Sequence, residues 1–312
     1  MRRYVARGES GIESVAAVRA LADWPRPAVA RAAAEAAQRL SPRELVAAAI
    51  LHTELANAIA DRTPAAVTFH VERARDLLIA ARRGDPIRTD AVWRLWYVSV
   101  VSLYTSTQRL QDATWILGDG LRRFPHEPKL YVARGAIAEA ATRLAIPDLR
   151  RDLPLEPRTR SRVEQAFRSA VVDYLHALEI DDTLASAHLH IGWTRLVLHD
   201  GRAADALERA VEHADNDDQR YLAHLFLGGA REQAHRLEDA RREYEAALAA
   251  GAFQSAYVAL SRVEDALGHA DRARDLAAAG AQLIKHDDDP WWDYRIGFDR
   301  HGLLSLRAEA QR

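Results

Sequence analysis

"LGGAREQAHRLEDARREYEAAL" (Leu227–Leu248) decides the fold, through the places its small residues hold. Gly228, Ala240 and Ala247 stand among large apolar and charged side chains. Small residues are needed where two helices cross closely, because a longer side chain would push the axes apart. No nucleophile, metal cluster or phosphate loop accompanies them, so the pattern reads as a packing constraint and not as chemistry.

The same pattern recurs along the chain. Val101, Gly135, Gly192, Gly228 and Ser261 align as the middle of a first helix. Ala113, Ala170, Ala203, Ala240 and Ala273 follow early in a second helix, and Gly120, Ala177, Ala210, Ala247 and Gly280 come seven positions later. Between the last two sets stands a larger residue, Leu117, Tyr174, Leu207 or Tyr244, with Ala277 as the exception. Unit-to-unit spacing is 33 to 37 residues apart from one insertion, a period that marks stacked helix pairs. The pattern resembles the tetratricopeptide repeat. Pro125 in "RFPHEP" fills the inter-repeat proline place, and Asp181-Asp182 stands there in "LEIDDTLASAHLHIG". The resemblance is plainest at 185–220 and 221–253, covers about 94–286, and is weaker over 10–88. It implies an all-α, right-handed α-α superhelix of about six to eight helix pairs. Residues 1–88 would be degenerate pairs, 89–286 the array with an insertion at about 141–162, and 287–312 an aromatic capping segment.

Local signals agree. Strand alternation and hairpin turns are missing. "SPRELVAAAIL" offers Ser41 as N-cap, Pro42 in the first helical position and Glu44 to complete a capping box. "RTPAAVTFHVERARDLLIAARRG" repeats the device with Thr63 and Pro64 and stops at Gly84. Another helix is expected near Pro25, and "HDG" at 199–201 reads as a turn. Pro147, Pro154 and Pro157 forbid one continuous helix through the insertion. It reads either as two extended helices joined by a loop or as a docking loop using "DLRRDL".

Composition narrows the function. Forty-three basic residues against forty-five acidic ones, net −2, disfavour a general phosphate-backbone binder. The absence of cysteine excludes disulfides and thiolate metal sites. No stretch reaches membrane-span length. "MRRYVARGES" lacks the apolar run of a signal peptide, so a cytoplasmic protein is expected, or an exported one if a signal lies upstream. Nearly all basic charge is Arg, Lys129 and Lys285 excepted, which suggests a GC-rich bacterial genome.

Candidates for chemistry are sparse. His188 and His190, two apart on a helix, point to different sides. His188 and His224 occupy the repeat's first aromatic place and read as packing residues. His52 and Glu54 in "LHTEL" form no H-E-x-x-H. "HADNDDQ" and "KHDDDPWW" lack the ligand order of a calcium loop. Asp217 or Asp218 reads as a helix cap, and Asp289 before Pro290 has the same look. Arg195, Arg231 and Glu264, at one place in three units, suggest an ion-pair ladder between first helices. No catalytic, metal or cofactor-binding residue is assigned.

In the family the first helices line the concave groove. Carried over, the resemblance implies a groove containing Val98, Val132, Leu189, Trp193, Leu196, Leu225, Glu232 and Arg262. The Lys and Asn of the family's clamp for C-terminal carboxylates are absent from the matching places. An apolar centre at Leu189, Trp193, Leu196 and Leu225 suits an apolar segment or amphipathic helix. The groove could equally be filled by the chain's own insertion. Trp291, Trp292, Tyr294 and Phe298 in "DPWWDYRIGF" read as a cap over the last helix pair or as an aromatic hook for a partner. The leading reading is a non-enzymatic scaffold that binds a protein segment. An α/α-repeat enzyme with acids at the helix ends, or a peptide- or ligand-sensing regulatory domain, are the alternatives.

Overall fold

The computed structural model describes residues 40–58, 64–84, 90–106, 108–145, 156–283 and 289–295. These residues are helical and joined by turns. The helix expected near Pro25, Thr63, the "DLRRDL" stretch and Phe298 lie outside them.

Two compact units divide the chain between Phe124 and Pro125. The first holds α1 (Pro42–Ala58), α2 (Pro64–Gly84), α3 (Asp90–Ser106) and α4 (Leu110–Arg123). The second holds α5 (Pro128–Ala145), α6 (Pro157–Ile180), α7 (Ala185–Val197), α8 (Ala203–Glu212), α9 (Asp217–Gln233), α10 (Leu237–Ala250), α11 (Gln254–Ala266), α12 (Ala270–Gln282) and α13 (Pro290–Arg295).

In the first unit α1 pairs with α2 and α3 with α4, and α3 touches both helices of the earlier pair. The capping box at its start is formed: Ser41 N–H and hydroxyl donate to Glu44 at 2.7 Å, and Glu44 N–H returns to Ser41 Oγ. Trp93, Trp96 and Tyr97 make a buried aromatic run on α3, anchored by Trp96 Nε1 donating to the Leu78 carbonyl at 2.6 Å.

The second unit repeats one packing step. α5 pairs with α6, α7 with α8, α9 with α10 and α11 with α12, and each second helix then meets the next first helix. The small residues sit at the closest approaches. A Cβ on Gly135 would stand 2.5 Å from the Tyr174 ring, one on Gly192 2.4 Å from Leu207, and one on Gly228 2.4 Å from Tyr244. Ser261 takes the corresponding place in α11 and donates its hydroxyl to the Ala273 carbonyl across the pair at 2.8 Å. Ala170, Ala203, Ala240 and Ala273 are buried beside them. Such contacts define stacked helix pairs, the architecture that the repeat pattern implies.

Turns within pairs repeat as well. Gln108, His199, His235 and Gly268 all have positive φ, from 54° to 87°, at the end of a first helix. The following N–H reaches back five residues each time, Asp200 to Arg195 O and Arg236 to Arg231 O among them. This is a Schellman end, which satisfies helix-terminal carbonyls. In "HDG" the left-handed residue is therefore His199 and not Gly201. Asp200 turns inward to accept from Arg202 N–H at 3.0 Å.

Around the insertion both helices are long, α5 with 18 residues and α6 with 24. Pro157 opens α6, where a missing N–H costs nothing. At α9 the cap is Asn216, whose side chain accepts from Gln219 N–H at 2.9 Å, and not Asp217 or Asp218. Asp217 instead pairs with Arg220 in the first turn.

Candidate functional site

The second unit brings together side chains from three first helices, α7, α9 and α11. On α7, His190, Trp193 and Val197 recur at helical spacing, so they share a face. On α9, Phe226, Gly229 and Gln233 do the same. Trp193 and Phe226 meet at 4.9 Å between ring centres. The Arg143 guanidinium lies over the Trp193 ring at 5.4 Å.

Beneath them lies a buried polar floor. Glu139 of α5 is buried, accepts from the Thr194 hydroxyl at 2.5 Å, and has His190 Nδ1 at 3.6 Å. Burial alone would raise its carboxyl. His190, Thr194 and Arg143 outweigh that and hold it below the usual carboxylate value. The His190 ring is stacked between Tyr174 and Tyr294, each at 4.8 Å. Burial first, and the Glu139 charge second, push the Tyr174 phenol well up, so it stays neutral.

α13 closes over this face. Asp289 is buried, and its Oδ1 accepts from the Tyr221 hydroxyl at 3.1 Å and from Trp291 N–H at 3.0 Å. Its Oδ2 accepts from Ser255 N–H at 3.0 Å. Asp289 thus caps α13 and ties it to α9 and α11. Trp291 stands edge-on to Trp193 at 4.8 Å and to Phe226 at 5.5 Å. Tyr294 stands 5.2 Å from Phe226 and stacks on His190. The Trp291 and Tyr294 rings therefore rest on α7 and α9 and not on the last helix pair.

Trp193, which meets Trp291 on one side, also lines a cleft of about 490 Å3 with Leu196, Val197, Gly229, Glu232 and Arg262, among others. Arg262 forms a two-point ion pair with Glu232, at 2.8 and 2.7 Å, and Tyr244 donates to the same carboxylate at 2.9 Å. Apolar wall and fixed charge pair stand side by side.

Of the residues that the resemblance implied for a groove, Trp193, Leu196, Glu232 and Arg262 line this cleft. Leu189 and Leu225 belong to the buried core of the second unit. Val132 on α5 is buried, and Val98 is buried in the first unit. Sequence reasoning missed Phe226 and Tyr221, and it did not bring His190 and Glu139 together. The spacing of Trp291 and Tyr294, three apart after a capping Asp-Pro, was the available signal for the docked segment.

The expected ion-pair ladder is not what forms. Arg231 pairs with Glu208 on α8, and buried Glu264 pairs with Arg272 on α12 at 2.9 Å. Arg195 donates to the Arg202 carbonyl at 3.4 Å. Each charge is met by a second helix or a turn, which lies nearer than the next first helix. His188 Nε2 is 2.8 Å from the Asp182 carbonyl, and His224 pairs with Glu243 at 2.8 Å. Among the described residues no group of three or more His, Cys, Asp or Glu is placed to hold a metal ion. Among them, too, no helix is long and apolar enough to cross a membrane.

No protein-family model matches the chain, and no curated protein matches it in sequence. Solved structures similar to it include MamA, at 16% identity over 60% of this chain and 88% of that one, with a TM-score of 0.45. Another is a thermophilic TPR protein of Thermus thermophilus, TTC0263, at 16% identity over 69% of this chain and 93% of that one, TM-score 0.45. A third is PilW, a widely conserved type IV pilus biogenesis factor, at 19% identity over 69% and 90%, TM-score 0.45.

Proposed function

We propose that the second unit is a non-enzymatic interaction module whose first-helix face captures a peptide or short amphipathic helix of another protein. One observation carries this reading: the chain's own α13 lies as a short helix on that face, with Trp291 edge-on to Trp193 and Phe226. A surface that accommodates one helical turn through aromatic anchors has the chemistry of helix-in-groove recognition. The cleft continues that surface, with Trp193 and Leu196 as apolar contacts and the Glu232–Arg262 pair as the polar edge.

The test is selection from a random peptide library against the full chain. Enriched peptides are expected to lose at least tenfold in affinity on Trp193→Ala or Arg262→Ala, with helicity by circular dichroism unchanged. Failure to enrich any peptide, or enriched peptides indifferent to Trp193, Leu196 and Arg262, would overturn the reading.

A further inference from the structure

Resting on that reading, we propose the chemistry of the segment the face recognises: an acidic residue, a proline, then two aromatics three apart on a starting helix. The chain's own Asp289–Tyr294 stretch holds the seat in cis, and a partner carrying the same signature displaces it.

The seat is specific in three ways. Its acid pocket supplies two donors from different helices, the Tyr221 hydroxyl of α9 and the Ser255 N–H of α11, to opposite oxygens of one carboxylate. Burial, with the facing Asp289 charge, pushes the Tyr221 phenol far up, so it remains a donor. Its aromatic wall is Trp193 and Phe226, which receive Trp291 edge-on. Its third position is the flat of His190, whose other face is covered by Tyr174 and which receives Tyr294 by stacking.

The segment supplies the matching parts from within itself. Asp289 caps the turn through Trp291 N–H, and Pro290 occupies the first helical position. Residues three apart then face the same side, which delivers Trp291 and Tyr294 together. Six consecutive residues thus carry a complete recognition element, and any protein segment with this order of residues would present the same groups. The occupant is therefore a partner segment of acid–Pro–aromatic–x–x–aromatic form. Because the chain carries one copy tethered to the seat, its local concentration opposes any weaker competitor.

The test uses the full chain and a fluorescein-labelled peptide of residues 286–298. Trp291→Ala with Tyr294→Ala in the full chain removes the resident anchors. Fluorescence anisotropy is expected to show the peptide binding this variant at least tenfold more tightly than wild type. Adding Phe226→Ala to the variant, or replacing the two aromatics of the peptide by Ala, is expected to abolish binding. If the double variant loses helicity, Asp289→Asn serves as the second host, with the same ordering expected. Equal affinity for wild type and helical variants, or no binding to either, overturns the proposal. So does wild-type dimerisation abolished by Tyr294→Ala, which would place the tail in a second copy. Library-selected peptides that still bind the cleft would then leave the interaction reading standing, and their absence would remove both.

Discussion

Tyr244 fills the space a side chain at Gly228 would need: a Cβ on Gly228 would stand 2.4 Å from the Tyr244 ring. The ring is buried and its hydroxyl is held by Glu232, so it cannot swing aside cheaply. Gly228→Ala is expected to destabilise the second unit by about 1–3 kcal/mol, although Ala is the better helix former. Ala240→Leu, at a fully buried methyl on the facing helix, should cost a similar amount. Gly201→Ala, where nothing lies within 4 Å, should leave the melting temperature unchanged or slightly raised. Thermal unfolding followed by circular dichroism checks all three, and an unchanged melting temperature for both Gly228→Ala and Ala240→Leu would refute the register.

The left-handed turns supply a prediction of opposite sign. His199 and His235 hold φ of 54° and 55°, where a Cβ is penalised, whereas Gly268 holds the same place in the next pair without one. His235→Gly should stabilise by about 0.5–1 kcal/mol, the relief of strain exceeding the added freedom of the unfolded chain. Gly268→Ala should destabilise by a comparable amount. Urea midpoints are the measurement, and a loss of stability in His235→Gly would show that its ring makes an essential contact.

In the first unit His52 and His70 face each other, Nδ1 to Nδ1, at 2.8 Å. Burial, then the neighbouring His70 and Arg73 charges, lower the His52 pKa to about 3, and burial lowers that of His70 to about 4. Both are neutral in the fold but titrate near the ordinary value of about 6.5 when unfolded. Their contribution is therefore complete above about pH 6.5 and is lost as pH falls towards 4 and 3. His52 alone should cost about 2 kcal/mol between pH 7 and pH 5. His52→Asn is expected to flatten the pH dependence of unfolding in that window, and an unaltered slope would contradict the neutral pair.

Asp289 offers a test of the buried polar contacts of α13. Tyr221→Phe removes one of the donors to its carboxylate while Ser255 N–H and Trp291 N–H remain. A loss of about 1.5–3 kcal/mol is expected, the range of one hydrogen bond to a charged group. Differential scanning calorimetry of the two proteins reads it directly, and a gain in stability would show the phenol to be poorly paired.

Packing constraints that repeat were legible in sequence, because each is enforced locally and at a fixed interval. Gly135, Gly192 and Gly228 announced the close crossings, and Tyr174, Leu207 and Tyr244 the side chains that fill them. Ser41 and Glu44 announced their own cap. Choices among chemically equivalent neighbours were not legible. Asn216, Asp217 and Asp218 can all cap a helix, and only the backbone geometry selects Asn216. His199 and His235 hide a left-handed turn that sequence reading gives to glycine. Arg231 could reach several acids, and the nearest proves to be Glu208 on the preceding second helix. The docking of Trp291 on Trp193 obeys no repeat at all, since it depends on where the tail returns in space.

The most direct measurement is therefore contact between those rings in solution. With Trp and Phe selectively labelled in the full chain, nuclear Overhauser spectra should show cross-peaks from Trp291 to Trp193 and Phe226, whose ring centres lie 4.8 and 5.5 Å away. Trp291→Ala should remove those peaks and shift the Trp193 resonances. Random-coil shifts for Trp291, with no cross-peak to either ring while the helices remain intact, would contradict a seat held by the chain's own tail.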